Sequence, residues 1–424
     1  MIHNLYLINE MIVELKKEIE KRVGFEVQNR GDCELISYAI LELLDISISY
    51  NTIRRLYGLA PNTKANSKTL NTLAQFVGYN NFLHFTQNFS YKEKTKLFQI
   101  TYKSLYDDNE AEILELVKRT KRSDEDFVDF ITLLIRELFY KKKYSLINAI
   151  FNLKELHYSK FSYSELLYIG NSVGLILREE NRVHKILIKN INFLSCIYLT
   201  FVDYSSLNSY YGEWARSLKR ITTSEEIVLF NNAVLQFKRF LNNKKIKVLD
   251  EDLIYRKDLH PILCSRLLAL QLLTTNKPDV TELLTNYYKI HSARKNSTDY
   301  SYELYTTAIL TKNRKVMQFL VEKLDLTIEF LYQKHHLNSF YLMSAFYYKL
   351  SDNNVEALKN FKRFSLSECR FSYEEFIKLF YIIYTHEDSK IPSEKNQLIM
   401  SYKKLSDKLN YPYFSENYLL DYFD

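Results

Sequence analysis

The chain has 424 residues, of which 46% are hydrophobic, 15% aromatic and 26% charged. This composition is typical of a soluble globular protein of two or three domains and excludes an intrinsically disordered chain. The 58 basic and 51 acidic residues give a formal net charge of +7, which identifies no partner, because a modest positive charge serves solubility as readily as binding to a polyanion.

Glycine and proline are scarce, with seven and five residues, where an average chain carries roughly 12% of the two types together. Glycine-rich phosphate loops are therefore excluded, and the sequence predicts an all-α fold. No apolar run approaches the roughly 20 residues that cross a bilayer, and the N-terminus lacks the pattern of a signal peptide. We expect a cytoplasmic protein without a membrane partner.

Residues 1–92 predict a compact domain of five helices. In the first helix, apolar residues recur every three or four positions at Leu5, Ile8, Ile12, Leu15 and Ile19. This stripe is short for a dimer seam, so we expect it to pack on the next helices, with the helix ending near Gly24. The other four helices are expected from Asp32 as N-cap through Leu43, from Ser49 to Gly58, from Lys68 to Val77, and from Asn81 to about Phe89.

The charges of this domain are unevenly distributed. Residues 1–45 carry nine acidic and five basic residues, whereas residues 46–92 contain no acid, although the chain's own frequency predicts about six. A surface without carboxylates suits a phosphate backbone, because each carboxylate would repel it. The alternative is a composition that uses Asn and Thr at polar positions by chance. The basic residues of the stretch are Arg54, Arg55, Lys64, Lys68 and Lys92.

Residues 48–58 read ISYNTIRRLYG, which resembles the recognition helix of helix-turn-helix repressors. Ser49 can cap this helix, Ile53 and Leu56 would turn inward, and the first turn would enter a major groove. The resemblance implies a DNA-binding surface made of Ser49, Tyr50, Asn51, Thr52, Arg54, Arg55, Lys64 and Lys68. Within it, Asn51 could pair with adenine, and Arg54 or Arg55 with guanine or phosphate. These repressors usually have a glycine in the turn, where this chain has Asp45-Ile46-Ser47.

A second pattern follows at residues 73–89. Leu73-Ala74, Gly78-Tyr79-Asn80-Asn81-Phe82, His84-Phe85 and Phe89 are similar to the C-terminal helix-turn-helix of AraC-type regulators, with Asn80 as helix cap. The two candidate caps, Ser49 and Asn80, are closer in sequence than the AraC arrangement allows. The pattern therefore supports a DNA-binding-like domain, and an ordinary helical hairpin is the alternative for both patterns.

Residues 93–424 predict helix after helix, with polar breaks at a spacing that suggests stacked helix pairs. One pair resembles a tetratricopeptide repeat, in which Ala345 and Ala357 let two helices approach and aromatic residues surround them. Its matching positions are Tyr341, Ala345, Tyr348, Ala357 and Phe361. The pair departs from the repeat at Phe364, where a small residue is usual. An array of this kind implies a concave groove that binds a peptide or protein.

No catalytic motif occurs in the sequence, so we predict neither an enzyme nor a cofactor. The four cysteines are far apart, as expected of isolated buried thiols. His335 and His336 are adjacent and would point to different sides of a helix, which makes a poor metal pair, and we predict no metal site.

The leading expectation is a sequence-specific transcription regulator. Its architecture resembles peptide-responsive regulators that join a helix-turn-helix domain (residues 1–92) to tetratricopeptide repeats (residues 93–424). That resemblance implies double-stranded DNA and a peptide or protein ligand as partners, and a homodimer whose two DNA-binding heads change spacing when the ligand binds. The alternative is a helical-repeat scaffold that binds proteins or peptides without touching DNA.

Overall fold

The computed structural model describes residues 2–61, 65–120, 127–221, 224–247, 250–274, 280–291, 297–324, 333–369 and 372–424. Within these ranges every regular element is helical and no strand occurs, which confirms the all-α class. The chain divides into two compact units, Met1–Leu116 and Val117–Asp424.

The first unit contains the five predicted helices and the start of a sixth. They are α1 (Ile2–Val23), α2 (Arg30–Leu44), α3 (Tyr50–Leu56), α4 (Ser67–Phe76), α5 (Phe82–Tyr106) and α6 (Glu110–Arg119). The expected end of the fifth helix near Phe89 is wrong: α5 continues past residue 92 to Tyr106, because no glycine or proline follows to stop it. The unit therefore continues to Leu116.

Apolar faces of these helices form the core of the first unit. Leu15 and Ile19 of α1 are fully buried, which confirms that the α1 stripe packs within the unit. Ile36 and Ile40 of α2 and Leu73 of α4 lie in the same core. α2 contacts both α3 and α4, and α4 contacts α5.

A side-chain cap begins α2, and a residue in the left-handed conformation ends it. The expected N-cap, Asp32, is wrong: Asn29 is the cap, and Asp32 is the third helical residue of a capping box, its carboxylate accepting the Asn29 N–H at 2.9 Å. At the C-terminal end, Asp45 has a φ of 55°. An aspartate thus takes the left-handed conformation that glycine usually supplies in this turn.

The second unit is a succession of helices. They are α7 (Phe127–Tyr140), α8 (Tyr144–Phe151), α9 (Tyr163–Glu180), α10 (Ile191–Phe193), α11 (Tyr210–Ile221), α12 (Glu225–Leu241), α13 (Pro261–Thr274), α14 (Thr281–His291), α15 (Ser297–Leu310), α16 (Arg314–Lys323), α17 (Gln333–Leu350), α18 (Asn354–Arg363), α19 (Glu374–Asp388), α20 (Pro392–Leu409) and α21 (Glu416–Leu420). A single π-helical turn, Leu194–Tyr198, follows α10.

Alternate helices contact one another in the C-terminal half of this unit. α13 contacts α15, α15 contacts α17, and α17 contacts α19, while α14 contacts α16. Lys312 and Asp352 take positive φ values in the α15–α16 and α17–α18 turns. Ala345 and Ala357 are fully buried on α17 and α18, two helices in close contact. Small side chains thus allow the two helices to approach, as the sequence predicts.

Candidate functional sites

The first candidate site is the outer surface of α3. Ser49 caps this helix, because its Oγ accepts the backbone N–H of Asn51 at 3.3 Å. Ile53 is buried in the core, and the Ser37 hydroxyl of α2 donates to the Ile48 carbonyl at 2.5 Å. Both contacts hold α3 on α2 and leave its polar side facing away from the core.

The predicted DNA-binding residues differ in exposure. Ser49, Arg55 and Lys68 are exposed, whereas Tyr50, Asn51, Thr52 and Arg54 are partly buried. Lys64 lies outside the described residues. The Arg30 guanidinium lies 4.8 Å from the centre of the Tyr50 ring, a cation–π contact that fixes the start of α3 against α2.

Arg54 is engaged within its own unit. Its Nη1 donates to Asn51 Oδ1 at 3.0 Å, and its Nη2 donates to the Leu59 carbonyl at 3.4 Å. A bidentate contact of Asn51 with adenine needs both the amide N–H and this oxygen, so it requires Arg54 to release the oxygen. Among the predicted basic residues that the structure describes, Arg55 and Lys68 accordingly have exposed side chains.

An exposed apolar face on α2 was missed in the sequence. Leu35, Tyr38 and Leu41 are spaced by three residues and are exposed, with Tyr38 70% accessible. The signal was present, since these residues interrupt the polar side of an amphipathic helix whose buried side carries Ile36 and Ile40. Such a face is typical of a protein–protein contact.

The second candidate site is a cavity of about 390 Å³ inside the second unit. Residues from α9, α12, α13, α15 and α17, from the π turn and from the segment after it line the cavity. Leu166, Leu199 and Leu263 are among its apolar lining residues, and the exposed residues Ser224 and Glu226 lie at its rim. The volume falls in the range of small-molecule sites.

A buried ion pair lies on the wall of this cavity. Arg266 Nη2 donates to Glu303 Oε1 at 2.7 Å, and the two side chains are 5% and 1% exposed. The hydroxyls of Tyr204 and Tyr373 also donate to Glu303, and Arg266 Nε contacts the Tyr204 oxygen at 2.6 Å. Burial disfavours the charged guanidinium, but Tyr204 and Glu303 outweigh it and raise the pKa of Arg266. The pair is thus charged and internally compensated.

Histidines add uncharged polar groups to the lining. Burial, with a smaller effect of the Arg266 charge, lowers the pKa of His260 to about 4, and burial lowers the pKa of His336 to about 3. His260 Nδ1 accepts the Ile262 N–H at 3.2 Å, so the proton of the neutral ring resides on Nε2. His336 stacks on Tyr302 with ring centres 4.0 Å apart. Both imidazoles are therefore neutral donors or acceptors at neutral pH.

Sequence reasoning did not find this cavity. The available signal was Arg266, the single charged residue in α13, whose sequence is PILCSRLLALQLLT. An arginine within a leucine-rich helix predicts a buried, paired charge. His260 directly precedes α13, but Glu303 and His336 come from distant segments, so spacing could not associate them with Arg266.

The cysteines agree with the expectation of isolated buried thiols. All four are buried, and none of them forms a disulfide. Among the described residues, no group of three or more His, Cys, Asp or Glu side chains is arranged to hold a metal ion. None of the described helices is both long and apolar enough to cross a membrane.

No known protein family, curated protein or solved structure matches this chain.

Proposed function

We propose that the protein is a sequence-specific DNA-binding transcription regulator, in which a helix-turn-helix-like first unit is joined to a helical-repeat sensory or dimerisation unit. The observation that carries the proposal is the surface of α3. A Ser49-capped helix packs on α2 and exposes polar and basic groups, and the sequence segment 46–92 that contains it has no acidic residue. Such a surface complements the phosphates and base edges of a duplex.

The second unit supports the sensory part of the proposal. Alternate contacts from α13 to α19 are what a tetratricopeptide-like array requires, because each helix pair buries its apolar face against the next pair. A groove on such an array would bind a peptide or protein ligand. The exposed face of α2 would meet a second copy of the chain, and a dimer provides the paired heads that two half-sites require.

Selection of duplex DNA by the full-length protein tests the proposal. A random pool is incubated at low and physiological salt, and retained sequences are determined; an enriched site and a steep salt dependence are expected. Arg55→Ala should weaken binding to that site by about 1–3 kcal/mol, and Lys68→Ala should weaken all duplexes alike and reduce the salt slope by about one.

Lys21→Ala is the matched control, because Lys21 is an equally basic residue of the first unit, 78% exposed on α1 and outside the acid-free stretch. Its affinity for DNA should match that of the unchanged protein. Equal affinities for all three variants would remove the α3 surface from the proposal.

The second candidate function is a protein-binding scaffold that does not touch DNA, and the exposed face of α2 favours it. If the full-length protein retains no duplex DNA at low salt, the scaffold function is favoured over the regulator function. Tyr38→Glu should then disrupt the complex with the partner protein, since a carboxylate in an apolar contact loses its hydration without gaining a partner.

A further inference from the structure

The cavity of the second unit has the features of a built ligand site. It is enclosed on several sides by helices distant in sequence, and its described lining combines aliphatic side chains with a few polar ones. Natural small-molecule sites share this combination, in which apolar surface supplies affinity and sparse polar groups fix orientation. The site is independent of the proposed DNA-binding surface, because every lining residue belongs to the second unit.

Charge decides what the site can hold. The buried cation Arg266 is already neutralised by Glu303, and Glu303 in turn accepts hydrogen bonds from two tyrosines. His260 and His336 are neutral at pH 7. The deep part of the cavity therefore offers no uncompensated charge, and a charged ligand would lose its hydration there without gaining a counter-ion.

The rim reinforces this selection against anions. Glu226 lines the cavity where it meets the surface, and its Oε1 accepts the backbone N–H of His260 at 3.0 Å. This bond holds the carboxylate beside the entrance. An anionic ligand would have to pass it, whereas an uncharged ligand would experience no such repulsion.

Unsatisfied polarity inside the cavity indicates that the ligand is not a pure hydrocarbon. Ser195 lines the cavity and is 4% exposed, and its hydroxyl has no hydrogen-bond partner among the described residues. The Nε2–H of His260 supplies a donor. Buried polar groups are normally satisfied, so an unpaired hydroxyl beside a cavity is one that a bound molecule can satisfy.

We infer that this cavity binds an uncharged, mostly apolar small molecule that carries one or a few hydrogen-bonding groups. The aliphatic side chains of Leu166, Leu199 and Leu263 contact its body, and the polar groups of His260 and Ser195 orient it.

Two fluorescent probes that differ in one charge test this assignment on the full-length protein. N-phenyl-1-naphthylamine is uncharged at pH 7, and 1-anilinonaphthalene-8-sulfonate has the same rings with a sulfonate. The uncharged probe should bind saturably with one site per chain, and the sulfonate should bind roughly tenfold more weakly or worse. Equal or tighter binding of the sulfonate would overturn the assignment.

Two substitutions on one helix locate the probe. Leu166 lines the cavity from α9, whereas Leu175 of the same helix is exposed and outside the lining. Leu166→Trp fills the cavity and should weaken binding of the uncharged probe about tenfold or more, while Leu175→Trp should leave it within about twofold. Ile262→Phe, from the α13 side, provides a second filling variant if Leu166→Trp fails to fold by circular dichroism. Unchanged affinity in a folded filling variant would overturn the assignment, because the probe would then lie elsewhere.

Discussion

Replacement of Glu303 by glutamine should destabilise the second unit strongly. Glutamine keeps the shape of the side chain but removes the charge that compensates Arg266, whose side chain is only 5% exposed. Removal of one partner from a buried ion pair costs about 3–5 kcal/mol, because the other charge stays buried without compensation. This is a large share of the roughly 5–15 kcal/mol that stabilises a typical domain.

Urea unfolding monitored by tryptophan fluorescence measures this loss. Trp214 is the single tryptophan of the chain, and it is buried in the second unit, so its emission reports on the unit that contains Glu303. The control is Glu356→Gln on α18, since Glu356 pairs with Lys359 at 3.0 Å across a partly exposed surface. This surface pair should contribute less than about 1 kcal/mol.

A double variant separates charge from packing. Arg266→Met removes the uncompensated cation, so the protein with both Arg266→Met and Glu303→Gln should be more stable than the protein with Glu303→Gln alone. A loss below about 1 kcal/mol in Glu303→Gln, or a double variant less stable than the single one, would refute the reasoning.

Three further predictions concern protonation, close packing and capping. The pKa of His260 falls from its ordinary 6.5 to about 4 on folding, so the unfolded chain binds more protons between these values, and the free energy of unfolding falls as the pH falls through this window, by up to about 1.4 kcal/mol per pH unit. The difference in unfolding free energy between His260→Gln and the unchanged protein should therefore vary with pH in urea titrations. A difference that is constant with pH would contradict this origin. Gly212→Ala should destabilise the second unit by about 1–3 kcal/mol in the same urea assay, because the new Cβ would lie 1.9 Å from the Leu207 carbonyl oxygen. An increase in stability, as expected of a Gly→Ala change at an unobstructed helical position, would contradict the prediction. Asn29→Ala should lower the stability of the first unit by about 1 kcal/mol, because the backbone N–H groups of Gly31 and Asp32 lose their acceptor. Thermal unfolding followed by circular dichroism measures this loss. An unchanged melting temperature would show that the capping box contributes nothing.

Local pattern in the sequence determined the helices. Apolar periodicity predicted the buried face of α1, and Ser49 was correctly predicted as the cap of α3. Both features depend on residues within a few positions of one another. The errors also have local causes. Asn29 and Asp32 are both good capping residues, and only the backbone conformation at Asn29 decides which of them is the cap. The end of α5 was placed too early, although nothing in the sequence stops the helix there.

Tertiary structure alone decided the sites. The sequence could propose Tyr50 as a DNA-binding residue, but its cation–π contact with Arg30 of α2 is formed only when the two helices pack together. Arg266, Glu303 and His336 lie far apart in the chain and converge on one cavity through the packing of α13, α15 and α17. Apolar periodicity indicates that a charged side chain such as Arg266 is buried. Which distant residue compensates its charge depends on how the helices pack together, and no single stretch of sequence encodes that packing.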